Sequence, residues 1–358
     1  MSIIAKHIER SAFVQAAKDG DVDAVDRWLR DPSLDLPRDA VDAIVEAAEK
    51  GHLAVVERLQ ADGRSRLIAD GDAAITHAAA DGHVAVVDSL LKDDRIYPDE
   101  GDAIYVAARD GHCAVVARLL EDPRIDPAFD DNTALVAAAE HGHTEIVDLL
   151  LRDPRVHPSS SSYPEANHLP LFMAISHGHV GVVDRLLQDP RVDAAFDEND
   201  GIKWAAIDGH LAVVDRLLQE QCVDPSAQRN AAILEAAAIG HLAIVKRLMQ
   251  DVRVDPSANE NEVVRWAARE NHIAVVDALL EDDRVDVTVA LKHLHPDTHK
   301  RFEYRERLTE ICIALQAMAL PAWVTVQILD AARPQSTLRL HSKWNLACAV
   351  KHFHDRRQ

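Results

Sequence analysis

The sequence has few cysteines and no long apolar run. Its four cysteines lie far apart and form no C-x-x-C pair, a pattern that favours free thiols in a reducing compartment over disulfides or a zinc site. No apolar stretch approaches the roughly 18 residues that suggest a membrane-spanning helix. Charged residues between positions 6 and 10 also interrupt the apolar N-terminus, unlike the continuous core of a secretory signal. We therefore predict an intracellular, cytoplasmic protein with no membrane partner.

Basic residues are outnumbered by acidic ones. The chain carries 39 lysines and arginines against 60 aspartates and glutamates, which gives a formal net charge of −21. Such a chain repels phosphate backbones on average and attracts basic surfaces. We expect protein partners and no nucleic acid, and the acidic surface either steers basic partners or serves only solubility.

The short motifs of many enzymes are absent too. The sequence contains no G-x-x-x-x-G-K-[ST] loop, no H-E-x-x-H, no G-x-S-x-G and no G-x-G-x-x-G. Twenty histidines are present, but no cysteine and histidine cluster has zinc spacing. We predict a monomeric protein that is not an enzyme and holds no cofactor or metal.

What the sequence does contain is a ten-residue motif that is repeated nine times. The copies are GDVDAVDRWL at 20, GHLAVVERLQ at 51, GHVAVVDSLL at 82, GHCAVVARLL at 111, GHTEIVDLLL at 142, GHVGVVDRLL at 178, GHLAVVDRLL at 209, GHLAIVKRLM at 240 and NHIAVVDALL at 271. Copies start 31 residues apart, except for one spacing of 29 and one of 36. A period of this size indicates a solenoid of stacked units. Eight histidines share the position after the glycine or its substitute, which predicts a repeated turn and hydrogen-bonding role.

Each unit predicts two short helices. The first ends in a pair of small residues, such as Ala107-Ala108, and the glycine that follows suits a left-handed helix end. The second carries one apolar stripe and ends at Asp-Pro or Asp-Asp, where proline stops a helix. Because so short a pair cannot bury its own apolar face, each unit needs its neighbours.

The unit A-A-x-x-G-H-x-x-[VI]-V-x-x-L-L, seen as AARDGHCAVVARLL at 107–120, resembles an ankyrin repeat over about residues 10–286. The resemblance implies an all-α, ankyrin-type helical solenoid of stacked helix-turn-helix repeats, ended by a C-terminal helical cap at 287–358. The T-P-L-H opening of the family is absent and the units are about two residues short. The shortening falls in the connecting finger, so the resemblance leaves the hairpin geometry there open.

Ankyrin arrays are protein-binding scaffolds, so the resemblance implies a non-enzymatic interaction protein. Family members contact partners largely through finger tips and through the two residues before the glycine, on a concave face. The corresponding residues here are Arg109, Asp110, Glu140, His141, Ser176, His177, Ile207, Asp208, Ile239, Arg269 and Glu270. Trp204 and Trp266 lie one helical step further back, and they either join Ile207 and Ile239 in an exposed patch or pack between units.

Two segments depart from the repeat. Residues 155–170, RVHPSSSSYPEANHLP, form an insertion that we predict to be an extended loop, either a tolerated insertion or a contact or phosphorylation site. Near the C-terminus, LPAWVTVQILDAA resembles the start of an F-box-like segment. The resemblance gives an alternative function, a substrate receptor for a cullin-type ubiquitin ligase. The candidate adaptor-docking residues are Leu320, Pro321, Val324, Ile328 and Leu329.

Overall fold

The computed structural model describes residues 3–30, 36–62, 71–96, 98, 101–159 and 169–293. The chain divides into two compact units, residues 1–290 and 291–358, and nearly all of the described residues belong to the first. The predicted cap lies beyond the described residues apart from its first few positions. Domain boundaries at 10–286 and 287–358 therefore stay predictions.

Nine helix pairs follow one another in this described part. The first helices are α1 (Ile3–Lys18), α3 (Leu36–Glu49), α5 (Gly71–Ala80), α7 (Asp102–Asp110), α9 (Phe129–Glu140), α11 (Leu169–Ser176), α13 (Phe196–Ile207), α15 (Ala227–Ile239) and α17 (Ala258–Arg269). The second helices are α2 (Val22–Leu29), α4 (Leu53–Ala61), α6 (Val84–Leu91), α8 (Cys113–Leu120), α10 (Thr144–Arg152), α12 (Val180–Leu187), α14 (Leu211–Leu217), α16 (Leu242–Leu248) and α18 (Ile273–Leu279). A further helix, α19 (Val287–His293), follows the ninth pair.

The pairs stack in register and form two layers. Each first helix packs against the first helix of the next pair, and each second helix packs against the next second helix. The first helices approach through buried alanines such as Ala107, Ala108, Ala205 and Ala206. Among the described residues there is no strand, so the prediction of stacked helix-turn-helix units is confirmed there.

The turn inside each pair also joins it to the next pair. Gly111 follows α7 with a left-handed φ of 85°, and a Cβ there would lie 2.7 Å from Cε1 of His143 in the following pair. Nε2 of His143 lies 3.0 Å from the backbone oxygen of Arg109. Because a carbonyl oxygen can only accept, Nε2 carries the proton and donates. We call this arrangement the Gly-His joint.

The Gly-His joint explains the repeated histidines. Its hydrogen bonds run from His52 to Lys18, His83 to Glu49, His112 to Ala80, His143 to Arg109, His179 to Glu140, His210 to Ser176, His241 to Ile207 and His272 to Ala238. In every case the acceptor is the backbone oxygen two residues before the glycine of the preceding pair. The first pair carries Asp21 at the histidine position, and its side chain accepts from Ala24 N at 2.8 Å instead. The predicted hydrogen-bonding role of the histidines is confirmed, but the bond runs to the preceding unit, and the histidine side chain makes no capping hydrogen bond to its own helix.

A second link between pairs follows the second helix. The Asp189 carboxylate, 8% exposed, accepts from Nε and Nη2 of Arg191 at 2.9 and 2.6 Å. Nη1 of Arg191 also donates to the backbone oxygen of Val156 in the preceding unit, at 2.9 Å. We call this Asp-x-Arg arrangement the clasp, and it recurs at Asp93-Arg95, Asp122-Arg124, Asp153-Arg155, Asp251-Arg253 and Asp282-Arg284.

The clasp changes how the end of the second helix is explained. The sequence pattern had suggested that proline stops this helix, as at Asp189-Pro190. In the eighth unit Val252 stands at the proline position, yet α16 still ends at Leu248 and the clasp forms. Proline is therefore not required, and the shared feature is the aspartate and arginine pair. The seventh unit is an exception, with Glu220 and an exposed Cys222 in place of that pair.

The clasp predicts a defined acid sensitivity. Hydrogen bonds from Arg191 hold the pKa of Asp189 below its ordinary value, although burial acts to raise it. Since the unfolded-state pKa is about 3.9, the resulting stability is fully present above about pH 4 and is lost as the pH falls through the lower folded-state pKa. We expect Asp189→Asn to lower the free energy of unfolding at neutral pH, with a deficit that shrinks in urea titrations below about pH 4.

The matched control for this titration is Asp94→Asn, which removes an exposed carboxylate from a related turn. It should leave the free energy of unfolding nearly unchanged at every pH. A deficit for Asp189→Asn that stayed constant down to about pH 2 would contradict the proposed linkage.

The fingers between pairs differ from a hairpin. Asp197, Glu198 and Asn199 follow one another with left-handed φ values of 46°, 57° and 70°, a conformation that costs roughly 1 to 2 kcal/mol per residue outside glycine. Asn199 Oδ1 then accepts from the backbone N–H of Asp224 in the next finger, at 2.7 Å. Asn230 and Asn261 accept from the next fingers in the same way. In these fingers, whose geometry the sequence left open, the chain forms a left-handed turn bonded to its neighbour.

Candidate protein-binding surface

The two residues before each glycine have different environments. In the first eight pairs, the residue two before the glycine supplies the backbone oxygen of a Gly-His joint, and its side chain is half-buried. In the ninth pair, where Asn271 replaces the glycine, the corresponding Arg269 is exposed. The residue immediately before it, which we call the pre-glycine residue, is exposed in all nine pairs. The predicted contact residues of this second kind are Asp110, His141, His177, Asp208, Ile239 and Glu270.

Two histidines occupy adjacent pre-glycine positions in the middle of the array. Nδ1 of His141 donates to the oxygen of Ala137 at 3.0 Å, and Nδ1 of His177 donates to Met173 in the same way. The His141 ring also stacks on His143 of the Gly-His joint, with centroids 6.2 Å apart. Because Nδ1 is bonded to the helix, the Nε2 atom of each exposed ring is left for contact with another molecule.

Arg109 and Asp110 neutralise each other. Nη2 of Arg109 lies 2.7 Å from Oδ2 of Asp110, and this bond lowers the pKa of the Asp110 carboxyl below its ordinary value, against the opposing effect of burial. The Arg109 guanidinium also lies 5.9 Å from the centre of the Tyr105 ring. This pair would therefore offer a partner little net charge.

The structure divides the predicted aromatic and aliphatic patch. Trp204 is half-buried and meets Phe172 of the preceding pair edge to face, with centroids 5.7 Å apart. Ile207 lies three residues further along α13 on the same helix face, and Ile239 is 45% exposed on the adjacent α15. Trp266 lies two pairs away from Trp204 and instead packs under Arg269, whose Cζ is 5.1 Å from the ring centre.

Trp204 therefore packs between units while part of its surface stays exposed, and its part in a contact patch stays a prediction. The position that corresponds to Trp204 and Trp266 in the intervening pair holds Glu235, so the two tryptophans do not form one apolar surface. Phe172 was missed by sequence reasoning. Its place in the repeat could have indicated it, because Phe172 stands in the sixth unit one residue before the position that Trp204 occupies in the seventh.

Other predicted features give no site in the described part of the chain. Ser176, a predicted contact residue, has a buried hydroxyl without a hydrogen-bond partner there. Within the same residues, no group of three or more histidine, cysteine or acidic side chains could hold a metal ion. None of the helices described is long and apolar enough to cross a membrane.

The remaining sequence predictions fall outside the description. The candidate adaptor-docking residues Leu320, Pro321, Val324, Ile328 and Leu329 all do so. Most of the serine-rich insertion does too, although Ser159 at its start donates to the backbone oxygen of Arg191 at 2.7 Å. These predictions stay predictions.

Comparisons with known proteins identify the repeat. A family model for ankyrin repeats, in three copies, matches residues 104–200 and 202–290, which together make up more than half of the chain. The chain belongs to the ankyrin-repeat family. The predicted family and the predicted all-α, ankyrin-type solenoid are thereby confirmed. Ankyrin repeats are a protein–protein interaction module that is typically non-catalytic.

Two further comparisons add little about this array. A crystal structure of the human ASB11 ankyrin repeat domain is similar at 19% sequence identity with a TM-score of 0.41, and the match covers 53% of this chain and 95% of that one. A comparison with curated proteins found no match.

Proposed function

We propose that this ankyrin array is a cytoplasmic, monomeric and non-enzymatic scaffold that binds a protein partner through its pre-glycine residues and the adjoining faces of the first helices. The observation that carries the proposal is the exposure of the pre-glycine residue in all nine described pairs. In the first eight pairs the residue beside it takes part in the Gly-His joint, so the scaffold holds the pre-glycine side chains at regular spacing while leaving their identities free to vary.

The chemistry of the pre-glycine residues changes along the array. Histidines at 141 and 177 are followed by Asp208, Ile239 and Glu270. A surface with a fixed backbone and varied side chains is suited to selecting one protein among many, because both matching and mismatching contacts contribute to specificity. The concave face is the proposed place of contact.

A photo-crosslinking experiment tests this proposal. A photoreactive amino acid is placed at position 239 of the full chain, and in a second version at position 252, where Val252 is 95% exposed in the turn after α16. We expect the version labelled at 239 to form a discrete crosslinked product in cell extract, and an excess of unlabelled chain to suppress it. Equal products from both positions, or none from 239, would contradict the proposed surface.

The alternative function, a ubiquitin-ligase receptor that recruits its adaptor through residues 320–329, rests on the F-box-like sequence alone. Its test is binding of purified cullin adaptor by the full chain and by Leu320→Asp. Loss of adaptor binding in the variant, with the crosslink at position 239 retained, would support this second function. Absence of adaptor binding by the parent chain would remove it.

A further inference from the structure

Apolar side chains are partly exposed where the sixth, seventh and eighth pairs meet, since Ile239 is exposed and three neighbouring residues are half-buried. Phe172 and Trp204 form an edge-to-face pair, Ile207 follows Trp204 by one helical turn, and Ile239 extends the group onto α15. The neighbouring helices are directly linked, because Nε2 of His241 donates to the oxygen of Ile207 at 3.0 Å. We call Phe172, Trp204, Ile207 and Ile239 the apolar stripe. A partly exposed stripe of aromatic and aliphatic residues is suited to anchoring an interface.

Acidic side chains without an ion pair border the apolar stripe. Asp208 follows Ile207 and is exposed, Glu235 lies one turn before Ile239 on α15, and Glu270 is exposed on the adjacent α17. None of the three forms a salt bridge within the described residues. The second helices differ, since Asp184 there bonds Nε of Arg216 in the next unit at 2.7 Å.

Two bases lie nearby. Nζ of Lys203 lies 2.5 Å from Oδ1 of Asp200 and is paired with it, whereas Arg269 lies over Trp266 and keeps its positive charge beside Glu270. Since the three bordering acidic residues outnumber this one unpaired base, the border of the apolar stripe carries net negative charge. A ligand complementary to this surface needs apolar groups in a line and positive charges along the edges.

We propose that the apolar stripe and its acidic border bind a basic amphipathic helix of another protein. The inference rests on the proposed function and specifies the partner for that same surface. An amphipathic helix places apolar side chains on one stripe and lysines or arginines beside it, and it docks by laying that stripe into an apolar groove. First helices pack roughly 8 to 10 Å apart, so a partner helix of about 14 to 20 residues spans three of them at 1.5 Å per residue.

The test uses a defined probe and the full chain. The probe is a fluorescently labelled 18-residue peptide, about five helical turns, of leucine and lysine in helical amphipathic order. Its control is a peptide of the same composition in which the order of residues leaves no apolar face on the peptide helix. Fluorescence anisotropy at near-physiological salt measures both affinities. We expect the ordered peptide to bind at least about tenfold more tightly than the control, a difference of about 1.4 kcal/mol.

Two pairs of variants separate specific docking from general attraction to an acidic protein. Ile239→Asp should weaken binding of the ordered peptide by about tenfold or more. Val252→Asp adds the same charge at another exposed site and should change this affinity less than about twofold. The double variant Asp208→Asn with Glu235→Gln should weaken binding of the ordered peptide by about three- to tenfold. Glu281→Gln with Asp283→Asn removes the same charges from an exposed turn after α18 and should have little effect.

Circular dichroism melts should show all four variants folded, because each replaced side chain lies at or near the surface. Equal binding of the ordered and control peptides, or equal effects of the matched variants, would overturn the inference. No peptide binding by the parent chain would overturn it as well. A specific crosslink at position 239 in the absence of peptide binding would leave the proposed function standing and reject only the basic helix as its partner.

Discussion

Gly142→Ala is expected to lower the free energy of unfolding of the array by about 2 to 4 kcal/mol. Gly142 has a φ of 79°, and an added Cβ would lie 2.6 Å from Nδ1 of His179 in the next pair. The methyl group therefore strains the backbone and displaces the ring that donates to the oxygen of Glu140 at 2.8 Å. Urea denaturation followed by circular dichroism measures the loss.

Gly181→Ala provides the same substitution without the joint. Gly181 lies within α12 and is exposed, and its added Cβ would meet only the Thr144 side chain, at 3.1 Å from Oγ1. Since alanine favours a helix over glycine by about 1 kcal/mol, this variant should be near neutral or more stable. Similar losses in both variants would show that the Gly-His joint does not restrict residue 142.

The second large effect is expected at the alanine pairs. Ala205→Leu should cost about 1 to 3 kcal/mol, because Ala205 is fully buried where α13 packs between α11 and α15. Three extra carbon atoms have no room unless the neighbouring helices separate. The measurement is again the free energy of unfolding in urea.

Ala212→Leu is the matched control, because Ala212 is exposed on α14 in the same pair. A leucine there adds the same volume but contacts solvent, and we expect a change within about 0.5 kcal/mol. An unaltered denaturation curve for Ala205→Leu would count against close packing of the first helices.

Features that repeat within one unit were predictable from the sequence. The glycine, the alanine pair and the apolar face of the second helix each have a local physical reason. Together they set the positions of α7, α8 and their counterparts. The Asp-x-Arg clasp was visible as a pattern but was misread. Proline offered a local explanation, whereas the role of Arg191 depends on the backbone oxygen of Val156, 35 residues earlier.

The proposed binding surface was only partly predictable for the same reason. Family resemblance indicated both residues before the glycine, but the half-burial of Ile207 and the exposure of Ile239 depend on how neighbouring pairs stack. The left-handed finger around Asn199 was also beyond local reasoning. Three successive left-handed residues are unfavourable by themselves, and they become understandable only with the bond to Asp224 in the next unit.

The Gly-His joint has a consequence for how such an array grows. One unit contributes the histidine that reaches back to its predecessor, and it also contributes the glycine and the backbone oxygen that receive its successor. A tandem duplication of 31 residues therefore inserts a donor at one boundary and an acceptor at the other, so the new copy is compatible with both neighbours at once. Gene lengthening can then precede any change in the exposed side chains, and new recognition can evolve afterwards by substitution on a scaffold that already folds.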